Sequence, residues 1–199
     1  MANYYAVRKG RKPGIYRSWD ECKMEVTGFK GAEYKKFDNR QEAESFVFDR
    51  EMGINVSELT KDQAIFYVDG SYNITTKEFS YGIVMLEDER ESYYNEKFQD
   101  PELSEQRNVA GEVYGAMKAM EMGLMAKKKK IYIFFDYKGI RAWALGEWKR
   151  NIKLTQDYKA YYDSIKNDIE VEFVKVKAHS NDKYNDMADR LAKDALGIK

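Results

Sequence analysis

Apolar positions come in short alternating stretches over the first 50 residues and in longer, nearly unbroken runs after residue 63. Residues 4–8 alternate as a strand does, Arg11-Lys12-Pro13-Gly14 is a turn signal, and Ile15-Tyr16-Arg17 returns as a second strand. Ser18-Trp19-Asp20-Glu21 has the form of a capping box, which predicts a helix to about Thr27 that stops at Gly28. Cys22 shares helical spacing with Trp19 and Val26, so it reads as helix core. Residues 32–37 form a third short strand. A second capping box, Asn39 with Glu42, opens a helix with Ala43, Phe46 and Val47 on one face. This is a ββαβα unit of roughly 50 residues, near the lower size for a self-supporting fold.

The second half follows a different rule. Residues 64–70 read as a central strand, and 81–86 and 92–98 follow without a helical period, as antiparallel neighbours would. Val109, Val113, Ala116, Met117, Met120 and Leu124 then mark a long amphipathic helix. Gly111 and Gly115 weaken it by about 1 kcal/mol each relative to Ala, so they point to a close approach between helix and sheet. Residues 131–136 are almost continuously apolar, the mark of a parallel strand covered on both faces. Helices are expected around 138–148 and 156–167. Residues 169–176 alternate, as an edge strand would, and a last helix spans about 182–196. The polar stretch 51–63 is left as a linker of about 13 residues, able to span roughly 40 Å.

Composition adds little until charge is divided along the chain. The 199 residues carry zero net charge. Residues 1–37 nevertheless hold nine Lys and Arg against four Asp and Glu, a local charge of +5, while residues 38–63 sum to −4. Positive charge gathered at one end is a footprint of phosphate binding. The lysine run at 127–130, between a helix end and a strand, is better explained by the helix dipole. No run of 18 apolar residues is present, so no membrane span is expected. The first residues lack the apolar stretch of a signal peptide. A single cysteine permits no internal disulfide, which suits a cytoplasmic location.

Four acids stand where acids are costly. Asp69 and Asp136 each break off a buried apolar strand, and Glu112 and Asp189 sit at the margin of an apolar helix face. Converging carboxylates suit divalent cations that prefer oxygen ligands. The only histidine, His179, lies ten residues before Asp189 and has a reference pKa suited to moving protons near neutrality.

The order and spacing of Asp69-Gly70-Ser71, Asn108 with Glu112, Asp136, and His179 with Asn185 and Asp189 closely resemble type 1 ribonuclease H over about residues 64–199. The resemblance implies a mixed five-stranded sheet with helices on both faces and hydrolysis of the RNA strand of RNA–DNA hybrids. Products would carry 5′-phosphate and 3′-hydroxyl ends. It further implies two Mg²⁺ ions, with Mn²⁺ as a substitute. Asp69 would bridge the ions, Glu112 and Asp136 would hold one and Asp189 the other; Asp186 fits the spacing less well. Asn108 would contact the 2′-hydroxyl that separates RNA from DNA, or cap its helix. Two departures stand out. Ser71 is not followed by the family's common Asn-Pro-Gly turn, which leaves Asn73 without a clear role. Residues 147–157 are too few for the long basic protrusion of some relatives.

The N-terminal segment, with Tyr5, the basic turn, Trp19, Tyr34, Lys35 and Lys36, is similar to the hybrid-binding domain found before many cellular ribonucleases H and in caulimovirus viroplasmin. By that likeness Tyr5, Trp19 and Tyr34 pack on sugars and Lys35 and Lys36 hold phosphates, a division of labour with its own physical logic. The expected organisation is a small α+β hybrid-binding domain (1–50), a linker (51–63) and an α/β ribonuclease H domain (64–199). The expected partner is RNA–DNA hybrid, with double-stranded RNA as a second ligand and no obligate protein partner. A hybrid-binding protein with a silent nuclease half is the rival; an integrase- or resolvase-like enzyme acting on DNA fits the N-terminal module poorly.

Overall fold

In the computed structural model, residues 3–38, 40, 43, 46–47, 59–88, 90–176 and 182–198 are described. The chain divides into two compact units, residues 1–53 and 54–199.

In the first unit β1 (Tyr4–Lys9) is the middle strand, antiparallel to β2 (Gly14–Tyr16) and β3 (Glu33–Phe37). Helix α1 (Trp19–Val26) opens with the expected capping box: the Glu21 N–H donates to Ser18 Oγ (3.3 Å) and the Ser18 N–H donates to Glu21 Oε2 (3.1 Å). It ends where Gly28 adopts a positive φ of 74°, a conformation open to glycine at little cost. Neighbouring residues of a strand face opposite ways, so β1 feeds two small cores. Val7 packs with Cys22 and Val26, and Ala6 packs with Ala43 and Val47, which lie in a helical stretch. Asn39 and Glu42, the second capping box, lie outside the described residues, as do residues 51–58 of the linker. Trp19, at the first residue of the helix, is 40% exposed although Cys22 and Val26 are buried: its ring lies at the rim of their face, against Tyr5 of β1 and Tyr34 of β3.

The second unit is a five-stranded mixed sheet in the order β6-β5-β4-β7-β8. Its strands are β4 (Gln63–Tyr72), β5 (Phe79–Glu87), β6 (Arg90–Phe98), β7 (Lys130–Phe135) and β8 (Glu170–Lys175). β4, β5 and β6 pair antiparallel, whereas β7 and β8 run parallel to β4. Helices α2 (Asn108–Met125), α3 (Gly139–Ala144), α4 (Lys153–Ile165) and α5 (Lys183–Ala195) cover the sheet. Tyr81 packs under α2 at Gly115, while its neighbour Gly82 faces α5. The two helices therefore lie on opposite faces. Phe66, Val68, Ile131, Ile133 and Phe135 join Val113, Ala116 and Met120 in one core.

Three expectations are adjusted. Asp69 does not end its strand: β4 continues to Tyr72, since its ladder with β5 runs on to the Tyr72–Phe79 pair. The helix expected over 138–148 is only Gly139–Ala144, with Gly146 turning the chain at φ 81°, and the next helix starts at Lys153 rather than 156. The lysines at 128–130 do not act mainly on a helix dipole. Lys128 is buried against Glu87 (2.6 Å) and donates to the Lys61 carbonyl, Lys129 pairs with Asp62, and Lys130 with Glu170 and Glu172. Residues 61 and 62 are thereby tied to the second unit.

Candidate active site and nucleic-acid surface

Strand register brings the first two acids together. The last parallel pair of β4 and β7 is Tyr67 with Phe134, whose rings stack at 4.5 Å. Two residues further along each strand stand Asp69 and Asp136. With a side-chain period of two, both acids fall on the face that carries this ring pair. The third acid comes from α2 through an unusually close crossing. A Cβ on Gly111 would lie 1.9 Å from the Ser80 carbonyl oxygen, and one on Gly70 would lie 2.4 Å from the Asn108 carbonyl oxygen and 2.7 Å from Glu112 Cγ. No residue but glycine fits either position without the backbone moving apart. Gly111 and Gly115 therefore serve the approach that their cost to the helix suggested.

The outcome is that Asp69, Glu112 and Asp136 offer carboxylate oxygens all within 4.8 Å of one another. Asp69 is 9% exposed and Glu112 only 2%. Desolvation, followed by the Asp136 and Asp69 charges, pushes Glu112 up to about 9. Burial and the Asp136 and Asp189 charges push Asp69 up to about 7, against the Gly70 N–H that donates to Asp69 Oδ1 at 2.7 Å and the Lys193 charge. Glu112 Oε2 is buried with no hydrogen-bond partner. Among the described residues this all-oxygen cluster fits a hard divalent cation, which would satisfy that orphaned oxygen and neutralise the crowded charge.

Asp189 stands apart. It lies on α5 at the margin of the buried residues Ala188 and Ala192, as its spacing indicated, and its charge is felt at Asp69. It is not one of the three clustered acids, and its Oδ2 accepts a hydrogen bond from Lys193 Nζ at 2.7 Å. The i,i+4 spacing of Asp189 and Lys193 is plain in the sequence, and sequence reasoning missed it. Asp186 is exposed in the first turn of the same helix. His179 lies outside the described residues. Asn108 is exposed at the first position of α2. The cap position is Arg107, at φ 52° and without a side-chain cap bond, so Asn108 is not the N-cap. Asn73 Oδ1 accepts from the Thr75 and Thr76 N–H groups and shapes the turn after β4.

The first unit presents a different kind of surface. Trp19 lies between Tyr5 (5.9 Å between ring centres) and Tyr34 (5.6 Å), and Tyr34 is 47% exposed. Lys35 and Lys36 are exposed on the same strand as Tyr34. The structure thus brings together all three aromatic residues singled out from the sequence; Lys36, paired with Tyr5, shares their face, whereas Lys35 pairs with Ala6 on the other face, its Nζ 5.3 Å over the Phe37 ring. Trp19 is no core filler.

A fold with this mixed sheet, with one acid inside a parallel strand and another just past the end of its neighbour, defines a class, and comparison with known proteins places the chain in it. The chain belongs to the ribonuclease H family, whose model matches residues 61–197, and the model of the ribonuclease H1 N-terminal domain matches residues 3–47. Ribonuclease H of Saccharomyces cerevisiae is 58% identical over 47 residues, which is 24% of this chain and 14% of that protein. Ribonuclease H1 of Homo sapiens is 48% identical over 44 residues, 22% of this chain and 15% of that protein. These matches thus span only about a seventh of either relative. The fold resembles RNase H1 from the archaeon Halobacterium salinarum, with a TM-score of 0.57 at 17% identity over 68% of this chain and 98% of that one. It also resembles LC11-RNase H1, solved in complex with RNA/DNA hybrid, with a TM-score of 0.53 at 15% identity over 67% and 99% of the two chains. Among the described residues no helix is long and apolar enough to cross a membrane.

Proposed function

We propose that this chain is an endoribonuclease that hydrolyses the RNA strand of RNA–DNA hybrids with the help of two Mg²⁺ ions, Mn²⁺ serving as a substitute. The observation that carries this reading is the three-acid cluster around the buried Glu112, whose Oε2 has no partner among the described residues, in a chain of the ribonuclease H family. Bound divalent cations supply positive charge at the scissile phosphate and lower the pKa of water. The rest falls to the protein. Asp69, Glu112 and Asp136 would hold one ion by oxygen atoms, and Asp189 with Asp69 would hold the other. Asn108, exposed at the start of α2, reads the 2′-hydroxyl and so selects RNA at the cut position. His179 moves protons to and from the reacting water and leaving oxygen. The products are a 5′-phosphate and a 3′-hydroxyl.

The first unit, over about residues 1–50, supplies grip. Tyr5, Trp19 and Tyr34 pack on sugars and Lys35 and Lys36 bind phosphates, on hybrid above all and on double-stranded RNA as a second ligand. With residues 51–63 as a linker, residues 64–199 form the catalytic domain. No protein partner is needed for this chemistry, and it suits the cytoplasm. The test is purified protein with end-labelled hybrid, duplex DNA and duplex RNA, in Mg²⁺ and in EDTA. We expect cuts in the RNA strand of the hybrid, in Mg²⁺ alone, with 3′-hydroxyl ends. Tight hybrid binding without cuts under any cation would instead support a silent nuclease half.

A further inference from the structure

The fourth acid of the site is already engaged by a cation of the protein's own. Lys193 Nζ lies 2.7 Å from Asp189 Oδ2, and both side chains are about two-thirds covered (37% and 32% exposed). The backbone beneath this pair is held at three points by β5 and β6. Ser80 Oγ donates to the Ala192 carbonyl at 2.6 Å, and Asn95 Nδ2 donates to the Leu191 carbonyl at 3.0 Å. Gly82 brings β5 so near α5 that a Cβ there would lie 2.1 Å from the Ala188 carbonyl oxygen and 2.6 Å from the Ala192 N–H nitrogen. The helix cannot slide to bring its carboxylate to the three-acid cluster. Asp189 can change its partner only by rotating its own side chain, and that means leaving Lys193.

Pairs of opposite charge four residues apart often do no more than support a helix. α4 has one in Lys153 and Asp157, both largely exposed. The Asp189 pair differs because its lysine also acts on the site: the Lys193 charge draws Asp69 downward against the effect of burial. One lysine thus stands beside the carboxylate expected to hold the second ion and within electrostatic reach of the one expected to bridge both.

Resting on the two-ion reading above, we propose that Lys193 is a positioning residue that competes with the second divalent cation for Asp189. It keeps that ion weakly bound while leaving the ion of the three-acid cluster tight. A divalent ion set close to a fixed ammonium group in partly aqueous surroundings is repelled enough to lower its affinity about tenfold. Once Lys193 lets go, Asp189 swings to the ion and the ammonium group turns outward.

The test is Mn²⁺ binding to the full-length chain at pH 7 and low salt, with free Mn²⁺ counted by electron paramagnetic resonance. The proteins are wild type, Lys193→Met, Lys193→Arg and, as a control on an ordinary helix pair, Lys153→Met. We expect one tight and one weak Mn²⁺ in the wild type. Lys193→Met should tighten the weak ion about tenfold and leave the tight one within twofold, which also shows that the site is folded. Lys193→Arg and Lys153→Met should behave as wild type. The proposal is overturned if the weak ion is unchanged in Lys193→Met, if both ions tighten together, or if no second ion binds to that variant. In the last case one-ion binding would still stand. Failure of every protein to bind Mn²⁺ would sink the metal-dependent reading of the site and this proposal with it.

Discussion

The two units store their chemistry in opposite ways. The first keeps in water the groups proposed to bind hybrid: Trp19 and Tyr34 are 40% and 47% exposed, and Lys35 and Lys36 are exposed on the strand that carries Tyr34. Such groups cost little when idle, because lysine stays hydrated and ring faces lose water only when a ligand covers them. The second unit crowds its acids against one another around a buried one, Glu112, which is 2% exposed and has an oxygen without a hydrogen-bond partner among the described residues. Such an arrangement is unstable in its charged form unless something positive arrives. An exposed surface can be weakened by degrees, whereas a buried carboxylate cluster fails outright when one member is lost.

The sharpest way to break this contrast is Asp136→Asn. It keeps shape and removes one charge from the cluster, and we expect hybrid cleavage to fall by about 10³ or more. Hybrid affinity in Ca²⁺ or EDTA should stay within about twofold if, as proposed, the first unit does the holding. Activity within tenfold of wild type would show that the cluster is not the reaction centre. Next in size is Gly111→Ala. Its Cβ would meet the Ser80 carbonyl oxygen at 1.9 Å. We expect a net loss of about 1–3 kcal/mol in urea unfolding, outweighing the gain in helix propensity of about 1 kcal/mol, and slower cleavage as Glu112 is pushed off the cluster. A more stable variant would show that the crossing has slack. Smaller still is the double change of Lys35 and Lys36 to Ala. Hybrid affinity should fall about tenfold at physiological salt, and the slope of log affinity against log salt should flatten by nearly two. The cleavage rate at saturating hybrid should be unmoved. A drop in that rate would place the first unit inside the reaction centre and erase the division of labour.

Much of this was legible in the residues. Asp69 and Asp136 announce themselves because each interrupts an apolar strand, and Glu112 because it shares the margin of a helix face with Val109 and Ala116. The two glycines of α2 carried the message of close packing. Other features depend on contacts that pattern cannot carry. Helical spacing put Trp19 with Cys22 and Val26, yet only the folded strands show that its ring lies at the exposed rim of that face, against Tyr5 and Tyr34. The extension of β4 past Asp69 is set by its partner strand, not by its own apolar run. The lysines at 128–130 find their acids in Glu87, Asp62, Glu170 and Glu172, and Lys128 also donates to the Lys61 carbonyl, 67 residues away along the chain. Only tertiary structure puts those charges side by side.

Burial also fixes the sign of a pH effect. The pKa values of Glu112, raised from 4.5 to about 9, and Asp69, raised from 3.8 to about 7, make the folded, metal-free chain hold protons that the unfolded chain releases. Metal-free stability should therefore fall as pH rises from about 4.5 towards 9, and Mg²⁺ should restore it. Melting temperatures in EDTA and in Mg²⁺ should converge near pH 5 and separate above pH 8.

The most direct test of the claim that Glu112 waits in neutral form for a cation is calorimetry of Mg²⁺ binding at pH 7.5 in buffers of different ionisation enthalpy. At that pH Glu112 retains its proton and Asp69 has largely lost its own. We expect about one proton released per chain as the first ion binds, and close to none from Glu112→Gln. Mg²⁺ binding to the wild type with no proton release would mean that Glu112 is already charged in the free protein, and would contradict the claim.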